Sequence, residues 1–491
     1  MGSFEKSSYL CEKITSMKEK IEKLLVFIMI LLPMVVSAHD IEVQNGDGVT
    51  IYYNFINGGT ELEVSLRGNE LWSFSDEYTG SVVIPEEVTY MDNTYKVTSI
   101  GFGAFFKCAG LTSIAIPRSV TKIGTYAFMD CTGLQKVIVP DIAAWCNIII
   151  PAIDGNPLYL AHHLYSDENT EIKDLVIPDG VTSVHSYAFS GCSALTSVTI
   201  PSSVGGISRD AFQDCSGLQK VIISDIAAWC GVVFGGETSN PLFYAHHLYS
   251  DENTEIKDLV IPDGVTSIGY YAFTGCSGLT SLTIPNGITN IGNYVFDGCS
   301  GLTSLTIPDD VLDIGSSTFR GCSGLTSLTL GNSVRNIGSS AFRDCSGLSS
   351  VTLPNSVQAI SSWAFDGCTG LTTITIPANV TRIGNDAFGG VDLTMVVSLI
   401  RHPFTVYGPF TQNTYNKAKL YVPEGTYSAY RAMQGWRDFM RIYEGNPPAG
   451  INAVEGTQNY NTIIYDLDGV RQPEPKKGIN IVNGKVKVLI K

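Results

Sequence analysis

Five cysteines, Cys276, Cys299, Cys322, Cys345 and Cys368, follow one another at intervals of 23 residues. The same interval separates Cys108 from Cys131 and Cys192 from Cys215. Aligned on these positions, units read GCSGLTSLTIPNGITNIGNYVFD, GCSGLTSLTIPDDVLDIGSSTFR and DCSGLSSVTLPNSVQAISSWAFD. The shared pattern is C-x-x-L-x-x-L-x-I-P-x-x-V-x-x-I-G-x-x-A-F. Self-similarity at so short a period confines the chain to stacked-repeat architectures, because one unit is too small to bury its own apolar face.

Within a unit the physics is local. In Leu279-Thr280-Ser281-Leu282-Thr283-Ile284-Pro285 the alternation puts Leu282 and Ile284 on one face and Ser281 and Thr283 on the other, as in a half-buried strand. Pro285 has no N–H to donate and ends the strand. Ile288 and Ile291 turn inward from the next segment, Gly292 permits the turn, and Phe296 and Cys299 complete the lining. Stacking such units pairs their strands in parallel and aligns like residues in ladders. Thirteen strands are predicted, within 82–85, 111–117, 134–140, 172–178, 195–201, 218–224, 256–262, 279–285, 302–308, 325–331, 348–354, 371–377 and 417–423. At about 4.8 Å per strand the array is roughly 60 Å long.

A longer period overlies the short one. Cys108, Cys192 and Cys276 are 84 residues apart, as are Cys146 and Cys230, and His162 and His246. The segment 141–183, which ends AHHLYSDENTEIKDLVIPDGVTS, returns nearly unchanged at 225–267, as a tandem duplication would leave it.

Near the start, Leu24 to Val36 form an apolar run of 13 residues, too short for a membrane span of about 20. Lys18, Lys20 and Lys23 precede it and the small residues Ser37-Ala38 follow. Residues 1–38 are therefore expected to be a signal peptide cleaved after Ala38, with Met17 as an alternative start. No later run is long enough to cross a bilayer, so the mature chain is expected to be exported and not transmembrane. Its net charge of −16, or −17 without residues 1–38, opposes wrapping a nucleic-acid backbone, where affinity comes from neutralising phosphates.

Twelve cysteines in an exported chain invite a disulfide framework. Nine of them, however, occupy one repeat position, Cys146 and Cys230 lie in the duplicated inserts, and Cys11 lies in the leader. Stacked equivalents have parallel Cβ vectors, which suit a disulfide poorly. They are expected as buried free thiols, small and apolar with a weak donor. Cys146 and Cys230 are several rungs apart and are not expected to bond.

Candidate chemistry is sparse. Cys146 with His162-His163, and Cys230 with His246-His247, supply a thiol and an imidazole, but no orienting Asn or Asp stands out and Trp145 and Trp229 beside the thiols suggest packing. Zinc would need four convergent ligands, and adjacent histidines on a strand face opposite sides. Asp167-Glu168-Asn169 and Asp251-Glu252-Asn253 lack the glycine and spaced carboxylates of a calcium loop. No phosphate-binding loop or nucleophile elbow is present. No catalytic residue, metal or cofactor is expected.

The outward strand face is more informative. Ser281, Thr283, Ser304, Thr306, Ser327, Thr329, Ser350 and Thr352 form a ladder of small hydroxyls, continued at Ser197/Thr199 and Thr373/Thr375. These eight residues are the candidate ligand-binding set on a concave face, suited to glycans or to an ice-like water lattice; otherwise they keep a β face soluble. Lys136 and Lys220 stand in the ladder within the inserted modules, where Tyr159, Tyr165, Phe243, Tyr244 and Tyr249 are a second candidate surface.

The repeated LTSLTIP, SVxxIGxxAF and GCSGL resemble the BspA-type leucine-rich-repeat family of bacterial surface proteins over about 81–446. The resemblance implies a leucine-rich-repeat solenoid: an N-terminal β cap at 39–80, a parallel β-ladder with inserts at 141–183 and 225–267, and a terminal helical cap at 417–446. Residues 447–491 read as a linker and a small β domain with Asp-Gly and Asn-Gly turns. That domain resembles the C-terminal sorting domains of Bacteroidota-type secreted proteins. What the family implies is a secreted or surface-held, non-enzymatic adhesin for host matrix proteins, other cells or glycans, monomeric because capped. A spacer without ligand and a carbohydrate-active hydrolase are the alternatives.

Overall fold

The computed structural model describes residues 39–68 and 77–447 and, beyond them, the strands Ile464–Tyr465, Arg471–Gln472, Gly478–Val482 and Lys485–Leu489. The expected signal peptide and Cys11 lie outside the described residues.

Each 23-residue unit makes one coil of a solenoid. Its L-x-L segment becomes a short strand whose leucines face in, such as Ser304–Thr306 around the buried Leu305. Successive coils stack in parallel, and Ser304 lies beside Ser327 and Thr306 beside Thr329; the first rung carries one irregularity, at Gly80/Ser81. A strand falls on each of the thirteen predicted segments. The I-G segment makes a second parallel ladder, in which Asn290–Ile291, Asp313–Ile314, Asn336–Ile337, Ala359–Ile360 and Arg382–Ile383 pair in order. The A-F segment is a third column without strand geometry, held by bonds such as Phe319 N–H to Ala341 O at 2.8 Å and Phe342 N–H to Ala364 O at 2.8 Å. Three hydrogen-bonded columns thus enclose one continuous core.

Two residues of the repeat account for much of that core. Phe273, Phe296, Phe319, Phe342, Phe365, Phe388 and Phe410 stack with centroids 5.3 to 5.6 Å apart and planes within 3° to 11°. Such a ladder contributes aromatic pairing beyond buried area. The repeat cysteine packs beside it. Cys322 donates its thiol to Phe296 O at 3.4 Å, and Cys345 and Cys368 repeat this to Phe319 O at 3.2 Å and Phe342 O at 3.1 Å. The side chain is small enough for the core and binds a carbonyl of the previous coil. Cys146, Cys192, Cys215, Cys230, Cys276, Cys299, Cys322, Cys345 and Cys368 are buried free thiols. The glycine of S-G-L sits where coils touch: a Cβ on Gly324 would lie 2.4 Å from Ser300 O.

The duplicated inserts break the first ladder into successive sheets. Each carries a short helix, Ile142–Cys146 or Ile226–Cys230, capped by the carboxylate of Asp141 or Asp225. Each then adds one more strand, Leu164–Tyr165 or Leu248–Tyr249, and closes with a hairpin.

Both ends add detail to the caps the sequence suggests. The N-terminal sheet runs Ile41–Gln44, Thr50–Ile56, Glu61–Ser65, Asn93–Ile100, Glu87–Tyr90, well past residue 80, and interleaves with the first rung at Gly80–Val83. Its strand Asn93–Ile100 pairs in parallel with Lys122–Ile123, so the cap sheet is continuous with the second ladder. At the other end the helix Tyr427–Ala432 spans only six residues, and the last rung is the strand Arg441–Glu444, parallel to Lys419–Val422. R-I-Y-E alternates and can extend the ladder, while the buried Tyr430, Trp436 and Phe439 close the core. The terminal cap therefore holds a short helix and ends on a strand. In the tail Ile464–Tyr465, Gly478–Val482 and Lys485–Leu489 form antiparallel pairs.

Candidate functional site

The thiol–imidazole pairs do not assemble. Burial, with Asp141 and Asp225 nearby, pushes the thiols of Cys146 and Cys230 up to about 12. Trp145 and Trp229 beside them donate to Ala188 O at 2.7 Å and Ala272 O at 2.8 Å, so they pack and anchor the inserts. His162 and His246 bond Gly191 O and Gly275 O, each at 2.9 Å. His163 and His247 bond Glu171 at 2.5 Å and Glu255 at 2.6 Å. Lys173 and Lys257 complete these clusters. Among the described residues no group of three or more His, Cys, Asp or Glu is arranged to hold a metal ion.

The acidic turns are hairpin tips. The Asp167 carboxylate accepts the N–H groups of Asn169 and Thr170 at 2.8 and 2.9 Å, and Asp251 does the same for Asn253 and Thr254. Lys136 and Lys220, standing outward in the first ladder, reach over to these tips. Their ammonium groups bond Glu168 O at 2.6 Å and Glu252 O at 3.0 Å, and lie 4.5 and 5.1 Å from the ring centroids of Tyr165 and Tyr249. Tyr165 and Tyr249 are thus committed to the hairpins, Tyr244 accepts the Asp214 N–H, and Tyr159 stays exposed on the helix Leu158–Ala161.

From Asp258 onward the outward face has no such hairpin. Its first column runs Asp258, Ser281, Ser304, Ser327, Ser350 and Thr373; its second runs Val260, Thr283, Thr306, Thr329, Thr352 and Thr375. Ser281 donates to Asp258 at 2.5 Å. Thr283, Ser304, Thr306, Ser327, Thr329, Ser350 and Thr352 are exposed. The neighbouring threonines one place earlier are occupied instead: Thr326 donates to Thr303 O at 3.0 Å, one coil back. Beyond Thr375 the second column turns apolar, with Val397, Tyr421 and Tyr443 in register and the two tyrosine rings stacked at 5.4 Å.

This C-terminal stretch of the face is a groove of about 1300 Å³. Its floor is the strand face from Thr329 through Thr352, Thr375 and Val397 to Tyr421; Leu399, Arg401, Glu424 and Asn446 line one side. Of the eight sequence candidates, Thr329, Ser350 and Thr352 line it and the other five lie along the same face outside it. Sequence reasoning missed Tyr421, Leu399 and Arg401, because they belong to coils lacking the repeat cysteine.

Residues 85–144, 163–232, 248–346 and 290–401, more than half of the chain, match the BspA type leucine rich repeat region in six copies. No curated protein sequence matches. Among solved structures, a leucine-rich repeat protein from Bacteroides ovatus is similar at 28% identity, over 81% of this chain and 98% of that one, with a TM-score of 0.44. A leucine rich cell surface protein from Faecalibacterium prausnitzii is similar at 20% identity over 86% and 99%, with a TM-score of 0.40. The pneumococcal vaccine antigen PcpA is similar at 17% identity over 84% and 100%, with a TM-score of 0.41.

Proposed function

Because this chain belongs to the BspA-type leucine-rich repeat family, we propose that it is an exported, non-enzymatic surface protein whose solenoid binds an extracellular ligand, as an adhesin does. The observation that carries this reading is the outward face from Val260 to Tyr443: stacked strands presenting exposed hydroxyls and, at the last rung, the exposed Tyr443, with no convergent acid, base or nucleophile along it among the described residues. Such a face offers many weak, additive contacts and no reaction centre. Ser281, Thr283, Ser304, Thr306, Ser327, Thr329, Ser350 and Thr352 are its ligand-facing positions, and matrix proteins, other cells or glycans are its ligands. Residues 1–38 export the chain, the β module after residue 447 sorts or anchors it, and the capped array works as a monomer. Among the described residues no helix is long and apolar enough to cross a membrane.

The test is a binding screen of the exported chain on arrays of matrix proteins and glycans. A saturable ligand, lost when Thr283, Thr306 and Thr329 are changed to Lys, is the expected outcome. Turnover of a substrate from a broad hydrolase panel would refute the non-enzymatic reading. No ligand at all would leave a spacer.

A further inference from the structure

The groove over the last coils differs chemically from the molecule that carries it. The chain has a net charge of −16, yet the ionised side chains lining the groove are one Arg401 and one Glu424, of opposite sign. A polyanion would find no excess of cations there, and a basic peptide no excess of carboxylates. The strands of the floor are already paired with their neighbours, from Ser327–Thr329 to Val351–Thr352 and from Thr373–Ile376 through Met395–Ser398 to Lys419–Val422. Val351–Thr352 and Thr373–Ile376 end two separate sheets but lie in direct contact, so no gap opens between them for an added peptide strand, and recognition there rests on side chains.

Those side chains are hydroxyls repeated coil by coil, ending at the exposed Leu399 where Val397 and Tyr421 pack into a small buried cluster. Each hydroxyl both donates and accepts, which matches ligand hydroxyls of either orientation. Leu399 offers exposed apolar surface for C–H groups. The coils repeat at about 4.8 Å, close to the length of one pyranose residue in an extended chain. We infer that the groove between Thr329 and Tyr421 is a binding site for an uncharged, extended oligosaccharide, with successive sugars lying over successive coils. This deepens the adhesive reading and rests on it.

Titration calorimetry of the full chain with size-defined neutral gluco-, manno- and galacto-oligosaccharides, and with their sulfated forms, tests the site. The expected result is saturable binding of a neutral series, with affinity rising with chain length and then levelling off. It should be insensitive to salt and weaker for the sulfated form. Thr352→Trp, which fills the groove, and Thr375→Lys should each lower affinity at least tenfold. Gln358→Lys, at an exposed position just before the second-ladder strand Ala359–Ile360, should leave it unchanged. Matching melting curves for the three variants would exclude misfolding as the cause. Neutral oligosaccharides that fail to bind, or that bind indifferently to Thr352→Trp and Thr375→Lys, overturn the inference. If a matrix protein still binds and is lost on Thr283→Lys, the adhesive reading survives that failure; if nothing binds the face, both fall.

Discussion

At the scale of single residues the array depends on groups that touch their own copies. Phe342 lies 5.5 Å from Phe319 and 5.4 Å from Phe365, fully buried between them. Phe342→Ala removes two stacked contacts and opens a cavity that the flanking coils cannot close without breaking register. It should destabilise the protein by about 3–5 kcal/mol, read as a lower urea midpoint at unchanged m-value. A loss under about 1 kcal/mol would mean that the ladder is loosely packed. The thiols follow from the same burial. Cys146 and Cys230, raised to about 12, hold almost no thiolate at pH 8. Iodoacetamide should spare both in the native protein and modify both in guanidinium, with the sites assigned by mass spectrometry; rapid native labelling would instead mark them as accessible nucleophiles.

At the scale of elements, each insert hairpin is held by a carboxylate. The hydrogen bond from His163, with Lys173 nearby, holds the Glu171 carboxyl below the usual range. Burial acts to raise Glu255, but His247 and Lys257 outweigh it, so that its pKa is lowered too. A depressed carboxyl contributes stability above its unfolded value, about 4.3, and loses it as pH falls through the lower folded value. Amide protection at Ser166 and Ile172, and at Ser250 and Ile256, should therefore collapse together below about pH 4. Glu171→Gln should loosen only the first hairpin, at every pH; equal protection at pH 3 and pH 6, corrected for intrinsic exchange, would remove the carboxylates from this role. The legible elements were those with a countable period. L-x-L alternates over enough residues to announce a strand, and each predicted segment holds one. The two-residue strands at I-G are illegible in the sequence, because two residues carry no period and their pairing exists only across coils. Met395–Ser398 and Arg441–Glu444 were missed because their coils lack the cysteine that set the alignment. The hydroxyl face was visible in the pattern, but the groove was not, since its side is built by loops whose height above the sheet depends on the whole cap.

At the scale of the molecule, the structure is nearly one-dimensional, and its stability should sum over coils and the interfaces between neighbours. Removing Ser300 to Cys322, one complete unit of 23 residues, tests this directly. Cys299 would join Ser323 as Cys322 does now. Phe296 would stack on Phe342 in place of Phe319, which lies 5.4 Å from one and 5.5 Å from the other. The ion pairing is kept as well, although Asp309, Asp310, Asp313 and Arg320 are lost. Asp297 is now bound at 2.6 Å by Arg320, and Arg343 lies 3.1 Å from Asp366; after the deletion Arg343 would stand between Asp297 and Asp366 and meet both. The shortened protein should fold cooperatively, with a moderately lower Tm and an array about 4.8 Å shorter by small-angle scattering. Removing Ser300 to Gly321, one residue fewer, changes the side-chain period at the junction. A one-residue slip sends inward leucines outward across a strand, and it would drive a surplus residue into coils so close that a Cβ on Gly347 would lie 2.6 Å from Ser323 O. That variant should aggregate or unfold. Equal behaviour of the two deletions would show that the stacked ladders, and with them the even spacing of hydroxyls along the outward face, do not govern how this chain folds.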